Sequence, residues 1–302
     1  MTIKNILVPL DGSQLSETVL PMAALLAQQN HARLILFHVI EQHPPETVHG
    51  EHHLTNEQEA AAYLEQVRKS ISPEVDVIRH VHTSGEKDVA NSIVDHSREL
   101  GVDLIAMCAH GQSGLQKRIF GNIAQHVLNQ GGIPVLLLSP EKELKEETCN
   151  CQCILVPLDG DPDHEAGLDM AVELSQSCHA KLHLIMVIHE LSTLPGEQAA
   201  SAVLLPTATS ALLDMDCEDG KIYLAALMGK LMDRNIQVSG EVQRGDPAKQ
   251  IGISAKEFQA DIIVLGTHSK MAMDAFWSGS VTPKIATQTH LPLLLVPVHE
   301  DG

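Results

Sequence analysis

The heptapeptide ILVPLDG occurs twice, at residues 6–12 and again at 154–160, 148 residues later. Two further blocks repeat in the same order. VDLIAMCAHG (102–111) answers ADIIVLGTHS (260–269), and IPVLLLSP (133–140) answers LPLLLVPV (291–298), both at an offset of 158. Matched blocks in one order mean a duplicated chain, so whatever one half folds into, the other must fold into as well. The drift from 148 to 158 puts a net insertion of ten residues in the second half, and the uncharged stretch 199–213 (AASAVLLPTATSALL) is its natural place. The repeat divides the 302 residues into domains 1–141 and 151–302, with a linker at 142–150 made largely of the charged run EKELKEET (141–148). That is the count the length predicts.

Within the first half, continuous aliphatic runs at 6–8, 34–39, 104–107 and 135–138 read as strands buried on both faces. Helical stretches at 15–29, 56–70 and 88–100 separate them, with Ser13 or Asp11 as a cap for the first and Gly101 as a stop for the third. Strands alternating with helices imply an α/β fold: two tandem doubly wound domains, each an open, mainly five-stranded parallel sheet with helices on both faces. In such sheets ligands bind beyond the carboxyl ends of the strands.

Two loops lie at that end. The first carries Asp11 and Gly12, matched by Asp159 and Gly160, and such an aspartate can reach a ribose hydroxyl or cap the next helix. The second is His110-Gly111, followed by Lys117-Arg118 and Gly121-Asn122, matched by Gly266, His268 and the pair Gly279-Ser280. Glycines let backbone N–H groups approach an anion, and a helix starting after Gly121 or Gly279 would point its N-terminus at it.

The blocks ILVPLDGS, IAMCAHGQSGLQKRIFGNIAQHVL and IPVLLLSP resemble the universal stress protein family, and the resemblance extends to both halves. It implies an open five-stranded parallel sheet. The nucleotide-binding branch of that family carries Gly-x2-Gly-x9-Gly followed by Ser or Thr, whose glycines cradle ATP phosphates while the strand-end Asp holds the adenosine. Carried over, this implies Asp11, Gly111, Gly121, Asn122 and His110 around a ligand in the first half, and Asp159, Gly266, His268, Gly279 and Ser280 in the second, with Val39 and Val187 against the adenine. Both halves depart from the pattern. Cys108 stands at the first glycine and Asn122 at the Ser/Thr position of the first half, and Ser269 at the middle glycine of the second. A Cβ where positive φ or a close phosphate approach is needed costs about 1–2 kcal/mol, roughly tenfold in affinity. The resemblance therefore implies adenine nucleotide, ATP with or without Mg²⁺, bound weakly or in one half. It also implies pairing of the two closing strands, making the halves an intramolecular pseudo-dimer to which a homodimer of chains would be an addition.

Composition narrows the function classes. Asp and Glu number 39 against 20 Lys and Arg, for a net charge of −19, which argues against a nucleic acid or an anionic membrane as partner. No apolar run approaches the roughly 20 residues of a membrane span, and the first residues lack the pattern of a secretory signal, so a cytoplasmic location is expected. Histidine is frequent, at 18 residues, and His43, His49, His52 and His53 crowd one loop where they could gather zinc or nickel; a solvated polar loop is the plainer reading. Cys149, Cys151 and Cys153 alternate into a strand, as a soft-metal or redox site or simply as small residues. The segment 199–213 should cover its own core or line a cavity for an amphipathic molecule, as it carries no charge. No catalytic triad is apparent. The expectation is a non-enzymatic stress-response module that acts on an unnamed protein partner. The rivals are a slow ATPase switch, a carrier of an amphipathic metabolite in the second domain and a metal-responsive protein using the histidine loop.

Overall fold

The computed structural model describes residues 2–86, 88–109, 120–130, 132–139, 149–162, 165–268 and 281–298. The first half runs β1 (Asn5–Pro9), α1 (Gln14–Glu17), α2 (Leu20–Asn30), β2 (Arg33–Glu41), a small hairpin β3 (Thr47–Val48) and β4 (Glu51–His52), α3 (Glu57–Ser70), β5 (Asp76–Glu86), α4 (Val89–Glu99), β6 (Leu104–Cys108), α5 (Asn122–Gln130) and β7 (Val135–Leu138). The second half runs β8 (Cys153–Leu158), α6 (Ala166–Cys178), β9 (Lys181–Ile188), α7 (Gly196–Leu204), α8 (Pro206–Asp233), β10 (Val238–Arg244), α9 (Pro247–Glu257), β11 (Ile262–His268), α10 (Val281–Thr289) and β12 (Leu293–Val298).

Each half is a parallel five-stranded sheet, in the order β5-β2-β1-β6-β7 and β10-β9-β8-β11-β12. The chain starts in the middle, steps outward twice, then returns to the other side of its first strand. That reversal leaves a crevice at the carboxyl ends of β1 and β6, and of β8 and β11. Side chains of successive strand residues alternate between two helical layers. In the first half Ile6, Val8, Leu34 and Leu36 pack toward α2 and α3, whereas Leu7, Ile35, Phe37 and Val39 pack toward α4 and α5. The closing strands β7 and β12 pair antiparallel, Leu137 with Leu293 and Val135 with Leu295, and join the halves into one ten-stranded sheet.

The halves share small devices as well as a topology. Asp103 Oδ2 accepts from the N–H groups of Lys4 (2.8 Å) and Asn5 (3.0 Å), clamping the start of β1 to that of β6. Asp261 Oδ2 does the same with Gln152 (2.7 Å) and Cys153 (3.0 Å) in front of β8. His31 and His179 both end a helix in the left-handed conformation, at φ 52° and 54°. Where the first half needs a polar cap it has one: Ser13, Asn56 and Asp88 accept from the third residue onward at the heads of α1, α3 and α4. The helix expected over 15–29 is interrupted at residues 18 and 19, with Pro21 inside the first turn of the second piece.

The insertion in the second half becomes α7 and a lengthening of α8 to 28 residues, against 14 in α3. Here the expectation of core cover fails. Ala202 and Leu213 turn inward, but Val203 is 81% exposed and Leu204 80%, with Leu205 and Leu212 also outside. The inward stripe Leu213, Cys217, Gly220, Leu224, Leu227 and Leu231 already saturates the face of α8 that meets the sheet, so the remaining apolar residues have nothing to pack on. Among the described residues no helix is long and apolar enough to cross a membrane.

Two predictions follow from these contacts. Removing either clamp, Asp103→Ala or Asp261→Ala, leaves two backbone donors short of a charged acceptor and should cost about 1.5–3 kcal/mol in urea denaturation; a loss below the experimental error would show that water replaces the carboxylate. Burial is the chief cause that lowers the pKa of His38, His80 and His183. The folded state then binds fewer protons than the unfolded chain, whose histidines titrate near 6.5. Stability from these groups is complete above about pH 6.5 and is lost as the pH falls below it. The urea midpoint should be level from pH 8 to 7 and drop toward pH 5.5, and His38→Met should flatten the drop; an unaltered slope would remove His38 from the account.

Candidate functional site

At the switch point of the first half the backbone of β1 ends in Pro9-Leu10-Asp11-Gly12. Gly12 sits at φ +94°, where an added Cβ would also meet Leu54 at 3.0 Å, so glycine is required here. The turn lets Asp11 fold back: Oδ1 accepts from the Ser13 N–H (2.9 Å) and hydroxyl (2.6 Å), while Ser13 caps α1. Of the two capping candidates it is therefore Ser13 that caps α1, while Asp11 holds the turn in front of it. Its other oxygen, Oδ2, faces His49 Nε2 at 3.6 Å at the rim of a cavity.

That cavity has a volume of about 540 Å³, within the range of small-molecule sites. Of the residues singled out in the first half, Asp11, Val39, Gly121 and Asn122 all line it. Phe37, Val89, Ile93, Met107 and Ile123 form apolar walls, and Glu41, His49 and His53 stand at the polar side. Gly121 and Asn122 stand at the start of α5, and the head of that helix lines the space. No Lys or Arg is among the described lining residues; Lys117 and Arg118, with His110 and Gly111, lie outside the described residues.

The hairpin β3–β4 forms one wall. His49 and Gly50 make its two-residue turn at φ 50° and 85°, the conformation such hairpins need. Glu51 Oε1 accepts from the Gln14 N–H at 2.9 Å and ties the hairpin to the head of α1. The side chain of His53 is buried and contacts Glu41 Oε1 at 3.2 Å. The four histidines of this loop do not converge: His49 and His53 line the cavity, exposed His52 lies 3.8 Å from Glu59, and His43 is exposed and not among the lining residues. Among the described residues no three His, Cys, Asp or Glu side chains are arranged to hold a metal ion.

Cys108 does not carry the backbone strain expected at a replaced glycine. It ends β6 and is not among the residues with positive φ. Its thiol accepts from the Thr18 hydroxyl at 3.3 Å, and burial pushes it up to about 11, so it stays protonated at neutral pH. The second half shows what a glycine does at this place. A Cβ on Gly167 would lie 2.7 Å from the nitrogen of Gly266, so two glycines bring α6 directly onto β11. In the first half Val19 and Cys108 occupy the equivalent positions and the helix is broken there instead. The position serves helix packing in both halves.

The second crevice differs in its described part. Asp159 Oδ1 accepts from the Asp161 N–H at 3.0 Å, reproducing the turn of the first half, and Gly160 sits at φ +87°. Val187 is in β9 and the backbones of Gly266 and His268 are in β11; Gly279 and Ser280 lie outside the described residues. Met186 takes the place of His38. Its thioether is wedged between Gly160 and Gly220 of α8, each of whose added Cβ atoms would lie 2.9 Å from it. Tyr223 of α8 donates to Glu165 Oε1 at 2.7 Å, so the long helix is tied down next to Asp159. Tyr63 of α3 is the neighbour of Glu17 in the first half, and burial raises the pKa of both Glu17 and Tyr63. Sequence reading missed this pair, although the chain's only two tyrosines each answer a glutamate at the first helix of their half, Glu17 in α1 and Glu165 at the head of α6.

The sequence model of the universal stress protein family matches twice, over residues 2–139 and 151–297. A universal stress protein of Mycolicibacterium smegmatis is 23% identical over 97% of this chain and 96% of its own length. Universal stress protein YxiE of Bacillus subtilis is 28% identical over 44% of this chain and 97% of its own length. Among solved structures, a universal stress protein from Archaeoglobus fulgidus superposes with a TM-score of 0.65 at 16% identity, covering 99% of this chain and 97% of that one. A putative universal stress protein from Pseudomonas aeruginosa reaches 0.64, also at 16%. A duplicated sequence, a duplicated sheet and a twofold family match agree: the chain belongs to the universal stress protein family, with two of its domains in tandem.

Proposed function

We propose that this chain is a non-enzymatic regulatory module that binds an adenine nucleotide or nucleoside in its first half. The observation that supports this most is the cavity of about 540 Å³ at the first switch point, whose wall includes Asp11, Val39, Gly121 and Asn122 together. Its chemistry suits one end of such a ligand. Apolar side chains on both sides, Val39 and Phe37 against Met107 and Ile123, accept a flat heteroaromatic ring. Asp11 and Glu41 at the polar side accept hydrogen bonds from hydroxyl groups and repel anions. The phosphates then belong at the opposite side, at the N-terminus of α5, where helix N–H groups favour negative charge. Lys117 and Arg118 are the nearest basic residues in sequence to that helix.

Two features support a binding role over turnover: the Cys108 thiol stays protonated, and the Asp11 carboxylate already holds its own turn. The second half is proposed to bind the same ligand less well, as Met186 and Tyr223 draw α8 down toward Asp159.

Calorimetric titration with ATP, AMP and adenosine, each with and without Mg²⁺, tests the reading. One ligand per chain is expected. Asp11→Ala should weaken binding about 10–100-fold, the equivalent of one charged hydrogen bond. Val39→Trp should abolish binding by filling the slot, and Asp159→Ala should leave the first site untouched. No heat with any of the three ligands, or loss on Asp159→Ala with retention on Asp11→Ala, would overturn it.

A further inference from the structure

The long helix α8 carries two rows of side chains. One of them, from Leu213 through Gly220 to Leu231, is buried against the sheet. The other, Leu212, Met215, Asp219, Ile222, Ala226 and Gly229, keeps the same alternation of three and four residues, and every member is exposed. At about 100° per residue the two rows lie on opposite sides of the helix. Leu212 is 60% exposed, Met215 62% and Ile222 68%. A row of this period that points away from its own core has the pattern of a coiled-coil seam. The first half shows that the fold does not require it. With Tyr63 and Tyr223 in register, exposed Gln66 and Lys69 of α3 stand where α8 has Ala226 and Gly229. A Cβ added to Gly229 would meet nothing within 4 Å, so no described contact of its own chain calls for glycine there, although glycine inside a helix costs about 1 kcal/mol against alanine.

We propose that two copies of this chain pair antiparallel through the outward face of α8, with Ile222 on the partner's Ala226 and an ion pair from each Asp219 to the partner's Lys230. The charges favour a second copy as the occupant. Asp219 and Lys230 stand eleven residues apart, close to three whole turns and roughly 16 Å, so they share one side of the helix. Both are exposed, and neither has an ion-pair partner among the described residues of its own chain. A parallel copy in register would set Asp219 against Asp219. A twofold axis crossing between residues 224 and 225 exchanges acid for base, and makes the ion pair twice.

The same axis gives Gly229 a use. It sets Asp219 of each copy over the partner's Gly229, where the missing side chain leaves the carboxylate room to reach the lysine that follows. At a net charge of −19 two copies repel over most of their surface. This row lets them meet on apolar atoms, with opposite charges at its edge to fix the register.

The test is analytical ultracentrifugation of the full-length chain, with zero-length carbodiimide cross-linking and peptide mapping of the same sample. A dimer is expected, with a peptide that joins Asp219 to Lys230; their separation along one helix is too long for that link to form within a chain. Ile222→Glu should weaken pairing roughly tenfold or more, the loss of one buried aliphatic side chain per copy. Asp219→Lys and Lys230→Asp should each weaken it, and mixing the two variants should restore a dimer because opposite charges face each other again. All three side chains are exposed, so the variants keep the fold, which circular dichroism checks. A monomer across the soluble range, a dimer without the Asp219–Lys230 link, or one that the charge reversals leave unchanged would overturn the proposal. So would a face that takes lipid vesicles or a different protein in place of a second copy.

Discussion

Everything in this molecule is arranged around the seam where β7 meets β12. Val135, Leu136 and Leu137 lie against Leu295, Leu294 and Leu293, six aliphatic residues with almost no exposed surface. In a parallel five-stranded sheet such strands would be edges, with unpaired N–H and C=O groups and apolar side chains that invite aggregation. Pairing them with each other satisfies both demands at once. Covalent linkage makes the encounter intramolecular, which raises the effective concentration of one half around the other.

The interior strands were plain in the sequence because they are buried on both faces. Runs such as LILFHV and LIAM have no alternation to misread, and the repeat identified the same elements twice. The outer strands β5 and β10 were not picked out. DVIRHVHTSGE and VSGEVQR mix charged, imidazole and apolar residues, since one edge faces water and their side chains meet polar groups of α4 and α9. Ser254 of α9, for example, donates to Glu241 of β10 at 2.7 Å, while Glu241 also meets His183 at 3.3 Å. Such networks depend on three elements far apart in the chain, and no local pattern announces them.

The candidate site was legible to a similar extent. Asp11 and Gly12 stood out as a repeated strand-end turn, and their backbone demands are local. The hairpin that closes the cavity was invisible, because two-residue strands carry no periodicity; only the His49-Gly50 pair hints at its turn. At Cys108 only the conformational part of the expectation fails: the backbone there is an ordinary strand without positive φ, and the tight approach seen at its second-half counterpart Gly266 is to a helix. The apolar segment 199–213 was misjudged because composition reports how much apolar surface exists, not how much sheet is left to receive it.

The antiparallel sense of the seam has a geometric result. All five strands of the first half run one way and all five of the second run the other, so their carboxyl ends emerge at opposite margins of the same sheet. The two crevices therefore look away from each other. A globular molecule that docks on the carboxyl-end rim of one half confronts the amino-terminal strand ends of the other, and cannot straddle both. The chain is two-headed, with its heads back to back, and each can be engaged while the other is hidden from the same visitor.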